Sequence, residues 1–157
     1  MLRKLPRWLL TGLYVVIFAV PPGAGYISGQ PALVDQLKDA IKTVRTNSMS
    51  SRARYEAEKR LASLTSQVLP KNVDDATLAD LISLLDITDD SVRGWVAVSL
   101  GNLGVRARPA IPKLLAILAE VENCKFNSLS SAAAIRPALS RMGEKPPPEP
   151  QCGKAKK

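Results

Sequence analysis

The chain of 157 residues contains no histidine and only two cysteines, Cys124 and Cys152. Histidine is the side chain whose ordinary pKa lies closest to neutral, so its absence removes the usual general base. Two cysteines without histidine also fall short of the four ligands of a structural zinc site. The sequence therefore predicts neither a metal site nor a cofactor site.

Other arrangements that could support catalysis are missing as well. The acidic pairs Asp74–Asp75 and Asp89–Asp90 consist of adjacent residues, whose side chains point in different directions on a helix, so helix capping is their expected role. The serines that precede helices have no paired base. The glycine-containing "GNLG" (101–104) stands at a helix end and not after a strand, which excludes a phosphate-binding loop. We expect a non-enzymatic protein without catalytic residues.

A long hydrophobic run is also absent, because the apolar stretch 8–20 has only 13 residues where a bilayer span needs about 20. It follows three basic residues, and two prolines and the small residues "GAG" come after it. This order is typical of a bacterial signal peptide over residues 1–25, cleaved near Gly25. The expected location is periplasmic or secreted. An uncleaved inner-membrane anchor at 8–20 and a buried helix of the fold remain the alternatives.

The basic charge is modest once this segment is removed. The formal net charge of +8 falls to +5 without residues 1–25, and +2 of that belongs to the Pro- and Lys-rich tail 144–157. Acidic and basic residues alternate elsewhere, whereas a nucleic-acid interface concentrates positive charge on one face. The sequence therefore predicts no nucleic-acid partner. Membrane contact is expected only through an uncleaved N-terminal segment, or weakly through the basic tail.

The rest of the chain has the periodicity of helices. Val34, Leu37, Ile41 and Val44 recur at spacings of three and four residues, which places them on one helical face. Ala53, Ala57, Leu61, Leu64 and Val68 are expected to do the same in the next helix. No stretch alternates like a strand, so we predict an all-α fold. The predicted helices cover residues 31–44, 51–69, 75–85, 91–104, 109–122 and 128–142, with Asp74 or Asp75 and Asp89 or Asp90 as N-caps and Pro109 at a first helical position.

Three of these segments align without a gap at a constant offset of 39 residues: 53–64, 92–103 and 131–142. We name them the A helices, and the helices at 75–86 and 109–122 between them the B helices. A period near 40 in helix pairs indicates an α-solenoid, in which each antiparallel pair covers the apolar face of its neighbour. In the central A helix, Gly101 is expected to admit another helix closely, and Gly104 to end the helix with a positive φ.

The central unit, Asp89–Leu118, resembles a HEAT repeat of the short bacterial kind that also occurs in phycobilisome lyases. Ser99 replaces the usual alanine, and the units on either side retain fewer residues of the HEAT pattern. The resemblance implies a short α-solenoid of about five or six helices over residues 48–143, preceded by a linker and first helix at 26–47. The matching residues are Asp90, Val92, Arg93, Leu100, Gly101, Leu103, Gly104, Pro109, Ala110, Ile111, Pro112, Leu114 and Leu118.

By family analogy, Arg93 is a structural residue that reaches Asp90 or its counterpart in a neighbouring unit, with a ligand-facing arginine as the alternative. The same analogy places the B helices along a concave binding surface. We therefore expect an exported scaffold that binds another protein in the cell envelope. Trp95 either packs on the preceding unit or anchors a partner. Arg106 and Arg108 lie in the loop between A and B helices, where they are either solvated or contact a partner. The candidate partner-binding residues are Asp80, Ser83, Trp95, Arg106, Arg108, Lys113 and Glu120.

Two other functions fit the same resemblance. One is an accessory or lyase-like protein that binds a small molecule such as a tetrapyrrole. The other is a membrane-tethered structural protein, which requires that residues 1–25 stay attached. The sequence names neither the partner nor the oligomeric state.

The two cysteines are predicted to form a disulfide, as expected in an oxidising compartment. The last helix carries the chain about 22 Å away from Cys124, and the extended residues 143–151 span up to about 28 Å. Cys152 can therefore return to Cys124 and fold the tail across the last helix. Closing this loop is expected to contribute about 3–4 kcal/mol to the free energy of unfolding. Proteolysis of the exported protein without reductant, followed by mass spectrometry, should yield one linked peptide and not two free thiols.

Overall fold

The computed structural model describes residues 30–46, 50–121 and 131–149, and within these ranges the fold is all-α, with no strand. The order of elements agrees with the predicted helices, although α6 begins at residue 132 and residues 122–130 before it lie outside the description. The α-helices are α1 (Gln30–Arg45), α2 (Ser51–Gln67), α3 (Asp75–Ser83), α4 (Asp90–Leu103), α5 (Ile111–Val121) and α6 (Ala132–Arg141). Short 3₁₀ segments cover Pro70–Asn72, Leu84–Asp86 and Gly104–Ala110.

The helix ends are set by local side-chain and backbone chemistry. Asp74 is the N-cap of α3: its Oδ1 accepts a hydrogen bond from the Thr77 N–H at 2.6 Å, and this bond is the main reason that the pKa of Asp74 falls to about 2. Asp89 caps α4 in the same way, through the Val92 N–H at 3.2 Å. Gly104 ends α4 with a φ of +55°, a conformation that glycine adopts without steric cost. The first aspartate of each pair is thus the cap.

Helices α2 and α4 lie side by side and run in the same direction. Near their N-terminal ends, Arg54 Nη1 lies 3.2 Å from Asp89 Oδ2. Near their C-terminal ends, Asn102 Nδ2 donates to the Ala62 carbonyl at 3.0 Å. The two contacts connect residues 35 and 40 positions apart, close to the repeat of 39 in the sequence.

Helix α6 packs on the other side of α4 with the same polarity. Asp90 at the start of α4 accepts a hydrogen bond from the Ser131 N–H at 3.0 Å, and Arg141 at the end of α6 donates to Asn102 Oδ1 at 3.2 Å. Gly101 permits the close approach that the sequence predicted, because a Cβ there would lie 3.0 Å from the Ala138 Cα. The helices α2, α4 and α6, which contain the A segments, therefore form three parallel neighbours.

The remaining helices complete the core. Helix α1 packs on α2 and reaches α3 through Arg45, whose Nη2 lies 3.1 Å from Asp80 Oδ1. Helix α5 packs against α6. Of the apolar residues predicted to share one face of α2, Ala57, Leu61, Leu64 and Val68 are buried, whereas Ala53 in the first turn is exposed. The largest fully buried side chains are Leu37, Leu61, Leu81, Leu84, Leu85, Leu100, Leu103, Leu114, Leu118, Ile135, Leu139 and Met142.

The connection between α4 and α5 differs from the prediction. Pro109 was expected in the first turn of an α-helix, but it lies inside the 3₁₀ segment Gly104–Ala110, and α5 starts at Ile111. The chain thus leaves α4 in a tighter helical form and changes to an α-helix only after the proline. Ala107 and Ala110 of this segment are buried, so it belongs to the packed interior and not to a solvated loop.

The beginning of the tail turns back along α6. The Glu144 N–H donates to the Leu139 carbonyl at 3.0 Å, and Arg136 Nη1 donates to the Pro147 carbonyl at 2.6 Å. This direction agrees with the predicted fold-back of the tail, while Cys124 and Cys152 themselves lie outside the described residues. The predicted signal peptide or anchor at 1–25 lies outside them as well. Among the described helices, none combines the length and apolar character needed to cross a bilayer.

The two glycines inside α4 should respond to alanine in opposite ways. At Gly101 the added Cβ meets the α6 backbone at 3.0 Å, so Gly101→Ala should lower the free energy of unfolding by about 1–3 kcal/mol through overpacking. At Gly94 the nearest atom is 3.7 Å away, so Gly94→Ala should raise it by about 0.5–1 kcal/mol through helix propensity. Urea unfolding measures both. Equal effects of the two substitutions would contradict the close approach of α4 and α6.

Candidate functional site

An open groove lies on the outer side of the three parallel helices, over the seam between α4 and α6. Its volume is about 740 Å³. Helix α2 contributes one wall through Tyr55, and the other lining residues come from α4 and α6. Eleven residues line it: Tyr55, Asp90, Ser91, Gly94, Trp95, Val98, Ala133, Ala134, Pro137, Ala138 and Arg141.

The aromatic wall of the groove consists of Tyr55 and Trp95. Their rings meet edge to face, with centroids 6.0 Å apart and planes at 73°, the arrangement that aromatic quadrupoles favour. Lys59 Nζ lies 5.6 Å from the centre of the Tyr55 ring. Trp95 therefore packs on the preceding A helix, as one of its two expected roles requires. The exposed remainder of Trp95 and a Tyr55 that is 47% exposed still face the groove.

The groove exists because its floor carries small side chains. Gly94 on α4 and Ala134 and Ala138 on α6 bring the two helices close together without filling the surface above the seam. Pro137 adds an exposed apolar surface to the rim without an N–H group. The lining is thus mostly apolar, in the manner of ligand-binding and partner-binding surfaces.

Opposite charges mark the two ends of the groove. At the N-terminal end, Asp90 lies next to Ser91, and its Oδ2 accepts the Ser131 N–H. At the C-terminal end, Arg141 is exposed and donates one Nη1 hydrogen bond to Asn102. A guanidinium has five N–H donors, so Arg141 retains donors for a ligand beyond the bond to Asn102.

A buried carboxylate lies behind the acidic end. Glu58 on α2 is 1% exposed; its Oε2 accepts a hydrogen bond from the Ser91 hydroxyl at 2.7 Å, while Oε1 has no hydrogen-bond partner among the described residues. Burial raises the pKa of Glu58, and Asp89 raises it further, whereas Ser91 and Arg54 lower it. Ser91 thus connects the groove to a buried carboxylate whose charged form is disfavoured by its surroundings.

The candidates that the sequence placed on the B helices make contacts within the chain. Arg45 Nη2 contacts Asp80 and donates to Ser83 Oγ at 2.7 Å. Lys113 Nζ lies 2.7 Å from Asp86 Oδ2, and Glu120 Oε2 lies 3.3 Å from Arg93 Nη1. None of the candidates on α3 and α5 lines the groove.

Arg93 has the structural role that the resemblance implied, but with another partner. Besides its ion pair with Glu120, its Nε donates to the Ile87 carbonyl at 3.0 Å. Asp90, the expected acidic partner, instead accepts the N–H of Ser131 in the next A segment. The arginine therefore connects α4 to α5 within one unit, and the aspartate connects two units.

The two arginines of the 3₁₀ segment are neither free in solvent nor part of the groove. Arg106 Nη2 donates to the Val73 carbonyl at 3.1 Å and pairs with Asp75. Arg108 Nε donates to the Met142 carbonyl at 3.2 Å. One arginine thus reaches the unit before and the other the unit after, so both fasten the stack of helices.

Of the sequence-predicted candidates, the structure brings only Trp95 into the groove. Sequence reasoning missed the other ten lining residues, among them Tyr55, Pro137 and Arg141. The 39-residue offset contained a usable signal: Tyr55 aligns with Gly94. An aromatic side chain in one repeat thus corresponds to no side chain in the next, which indicates an uncovered surface there.

In the described ranges, no set of three or more His, Cys, Asp or Glu side chains converges to hold a metal ion. The arrangement offers apolar surface, aromatic edges and single charges, which suit recognition of a ligand. No protein-family model, curated protein or solved structure matches this chain.

Glu58 predicts how stability depends on pH. Because the pKa of Glu58 in the folded protein is raised above the ordinary 4.5, its carboxylate opposes folding at pH values above that range, and the penalty disappears as pH falls to 4.5 and below. Glu58→Gln should therefore be more stable relative to wild type at pH 7 than at pH 4, measured by urea unfolding at both values.

The other shifted carboxyl does not interfere with this comparison. Asp74 acts in the opposite direction, since its stabilising effect is lost as pH falls from its ordinary 3.8 toward about 2. A difference between wild type and Glu58→Gln that stays constant from pH 4 to pH 7 would contradict the raised pKa of Glu58.

Proposed function

We propose that the protein is an exported, non-enzymatic scaffold of HEAT-like architecture that binds a partner protein in the cell envelope. The observation that carries this proposal is the open apolar groove above the α4–α6 seam, with an exposed Tyr55 and a half-buried Trp95 in its wall. Exposed apolar patches bordered by polar groups are typical of protein-interaction surfaces. The binding surface is then the side of α2, α4 and α6, and not the B-helix side that the resemblance implied.

Three features support a short solenoid as the architecture. The A segments form parallel neighbours, their cross-contacts join residues about one repeat apart, and a tail lies along α6 on the side that Arg136 faces. Stacked repeats bury their apolar flanks on one another, and terminal units differ because one flank has no further repeat. Stacked repeats would thus account both for the 39-residue offset in the sequence and for the contacts between the A segments.

The polar groups of the groove favour recognition over chemistry. Asp90 is bonded to Ser131, Ser91 to Glu58 and Arg141 to Asn102. Such prior hydrogen bonds hold the side chains in place, which lowers the entropic cost of ordering them when a partner binds. The envelope location rests on the signal-peptide pattern of residues 1–25, which lie outside the described part of the chain.

The test is affinity capture from the cell envelope with the tagged protein, using a variant that blocks the groove. Ala133 lies in the groove and is exposed, so Ala133→Arg should not disturb the core. Ala116, exposed on α5 outside the groove, gives the matched control Ala116→Arg. We expect at least one protein to bind wild type and the control, and about tenfold less of it to bind Ala133→Arg, a loss typical of an interface position.

Two results would reverse the proposal. Equal capture by all three proteins would show that binding does not use the groove. A coloured or otherwise ligand-bearing preparation that loses its small molecule in Ala133→Arg would favour the tetrapyrrole-type accessory role instead.

A further inference from the structure

The groove lies over the α4–α6 seam, at a position where the preceding α2–α4 seam carries two aromatic side chains. Between α2 and α4 the seam is covered by Tyr55 and Trp95, whose rings touch. Advancing both residues by the repeat of 39 gives Gly94 and Ala134. These two also face each other, since a Cβ on Gly94 would lie 4.0 Å from the Ala134 Cβ. The two pairs are therefore equivalent in sequence and in space.

The α4–α6 seam thus lacks the aromatic pair that covers the α2–α4 seam. Trp95 lies between the two seams, because its ring meets Tyr55 and its surface also lines the groove. A ring placed over Gly94 and Ala134 would meet Trp95 from the side opposite Tyr55. Edge-to-face pairs with centroids about 4.5–7 Å apart are the favoured contact between such rings.

We propose, building on the function proposed above, that the partner protein supplies an aromatic side chain that lies over Gly94 and Ala134 against Trp95. The ring takes the place that Tyr55 occupies one repeat earlier. Aromatic anchors of this kind are enriched at the centres of protein interfaces.

Charge at the end of the groove specifies a second feature of the partner. Arg141 lies seven residues after Ala134, or about 10 Å further along α6. An extended segment covers that distance in about three residues. A carboxylate three positions from the aromatic residue therefore reaches the guanidinium, which offers donors beyond its bond to Asn102. The partner segment is an extended peptide with an aromatic and an acidic residue.

Within the described part of the chain, a second copy is a poor source of the ring. Tyr55 and Trp95 are the aromatic residues of the described part of the chain, and both are already in the groove wall. Tyr55 is held between Trp95 and Lys59, so inserting it into another copy would break two contacts in order to form one. The aromatic residues Trp8, Tyr14, Phe18, Tyr26 and Phe126 lie outside the described residues. In keeping with the proposed function we assign the groove to a segment of a different protein, and occupancy by this chain's own residues is an outcome of the test below.

The test selects peptides on the purified protein. A random dodecapeptide library displayed on phage is selected against wild type, and the enriched peptides are synthesised with a fluorescent label for anisotropy titration. Ala134→Trp gives the α4–α6 seam the side chain found one repeat earlier, and should close the site. Ala116→Trp places the same side chain on the exposed side of α5 and serves as its control. Thermal unfolding checks that both variants fold.

We expect enriched peptides to carry Trp, Tyr or Phe with Asp or Glu about three positions away. They should bind wild type and Ala116→Trp alike, and Ala134→Trp at least about tenfold more weakly. Arg141→Gln should weaken acidic peptides about threefold or more and leave versions with the acid replaced by Gln unchanged. Arg60→Gln, an exposed arginine of α2 outside the groove, should change neither. If Ala134→Trp does not fold, the Arg141 comparison and the replacement of the peptide ring by Ala decide the matter.

Several outcomes would overturn the inference. Enriched peptides without an aromatic residue, or undiminished binding to Ala134→Trp, would show that no ring enters the seam. A dimer of wild type in sedimentation that dissociates in Ala134→Trp would assign the groove to a second copy. Loss of envelope capture in Ala133→Arg together with failed peptide selection would remove the aromatic anchor but leave the scaffold function standing.

Discussion

The structure depends on the close parallel packing of α2, α4 and α6. Helix α4 is the central member, and it meets its neighbours through different residues on its two sides. Gly101 brings α6 almost to backbone contact, while Asn102 donates to α2 and accepts from Arg141 on α6. One glycine and one amide thus fix the distance and the register of three helices, because helices packed this closely tolerate few alternative alignments.

The same packing explains why the groove and the charged candidates lie on different surfaces. Stacking places the B helices and the 3₁₀ segment beside the neighbouring units, where Arg106 and Arg108 hydrogen-bond to carbonyls before and after their own unit. The hydrogen-bonding groups of these side chains are thus engaged within the chain. On the side of the A helices, small residues at the α4–α6 seam leave uncovered apolar surface.

Much of the fold was predictable from local chemistry. Periodicity located the helices, aspartates located the caps, and Gly104 located the end of α4, because each of these signals acts within one or two turns. The 3₁₀ segment around Pro109 was not predictable, since the burial of Ala107 and Ala110 decides how the chain leaves α4. The partner of Arg93 was equally hidden, because the choice between Asp90 and Glu120 depends on how α5 lies against α4.

The sequence by itself determined the all-α class, the repeat of 39 residues and the need for a close approach at Gly101, because these follow from spacing and side-chain size. Only the tertiary structure decided which surface is open. Tyr55, Trp95 and Pro137 are far apart in the chain and meet only when three parallel helices pack in register. A surface formed by residues from three repeats has no local signature, since its shape depends on the angles and distances between helices.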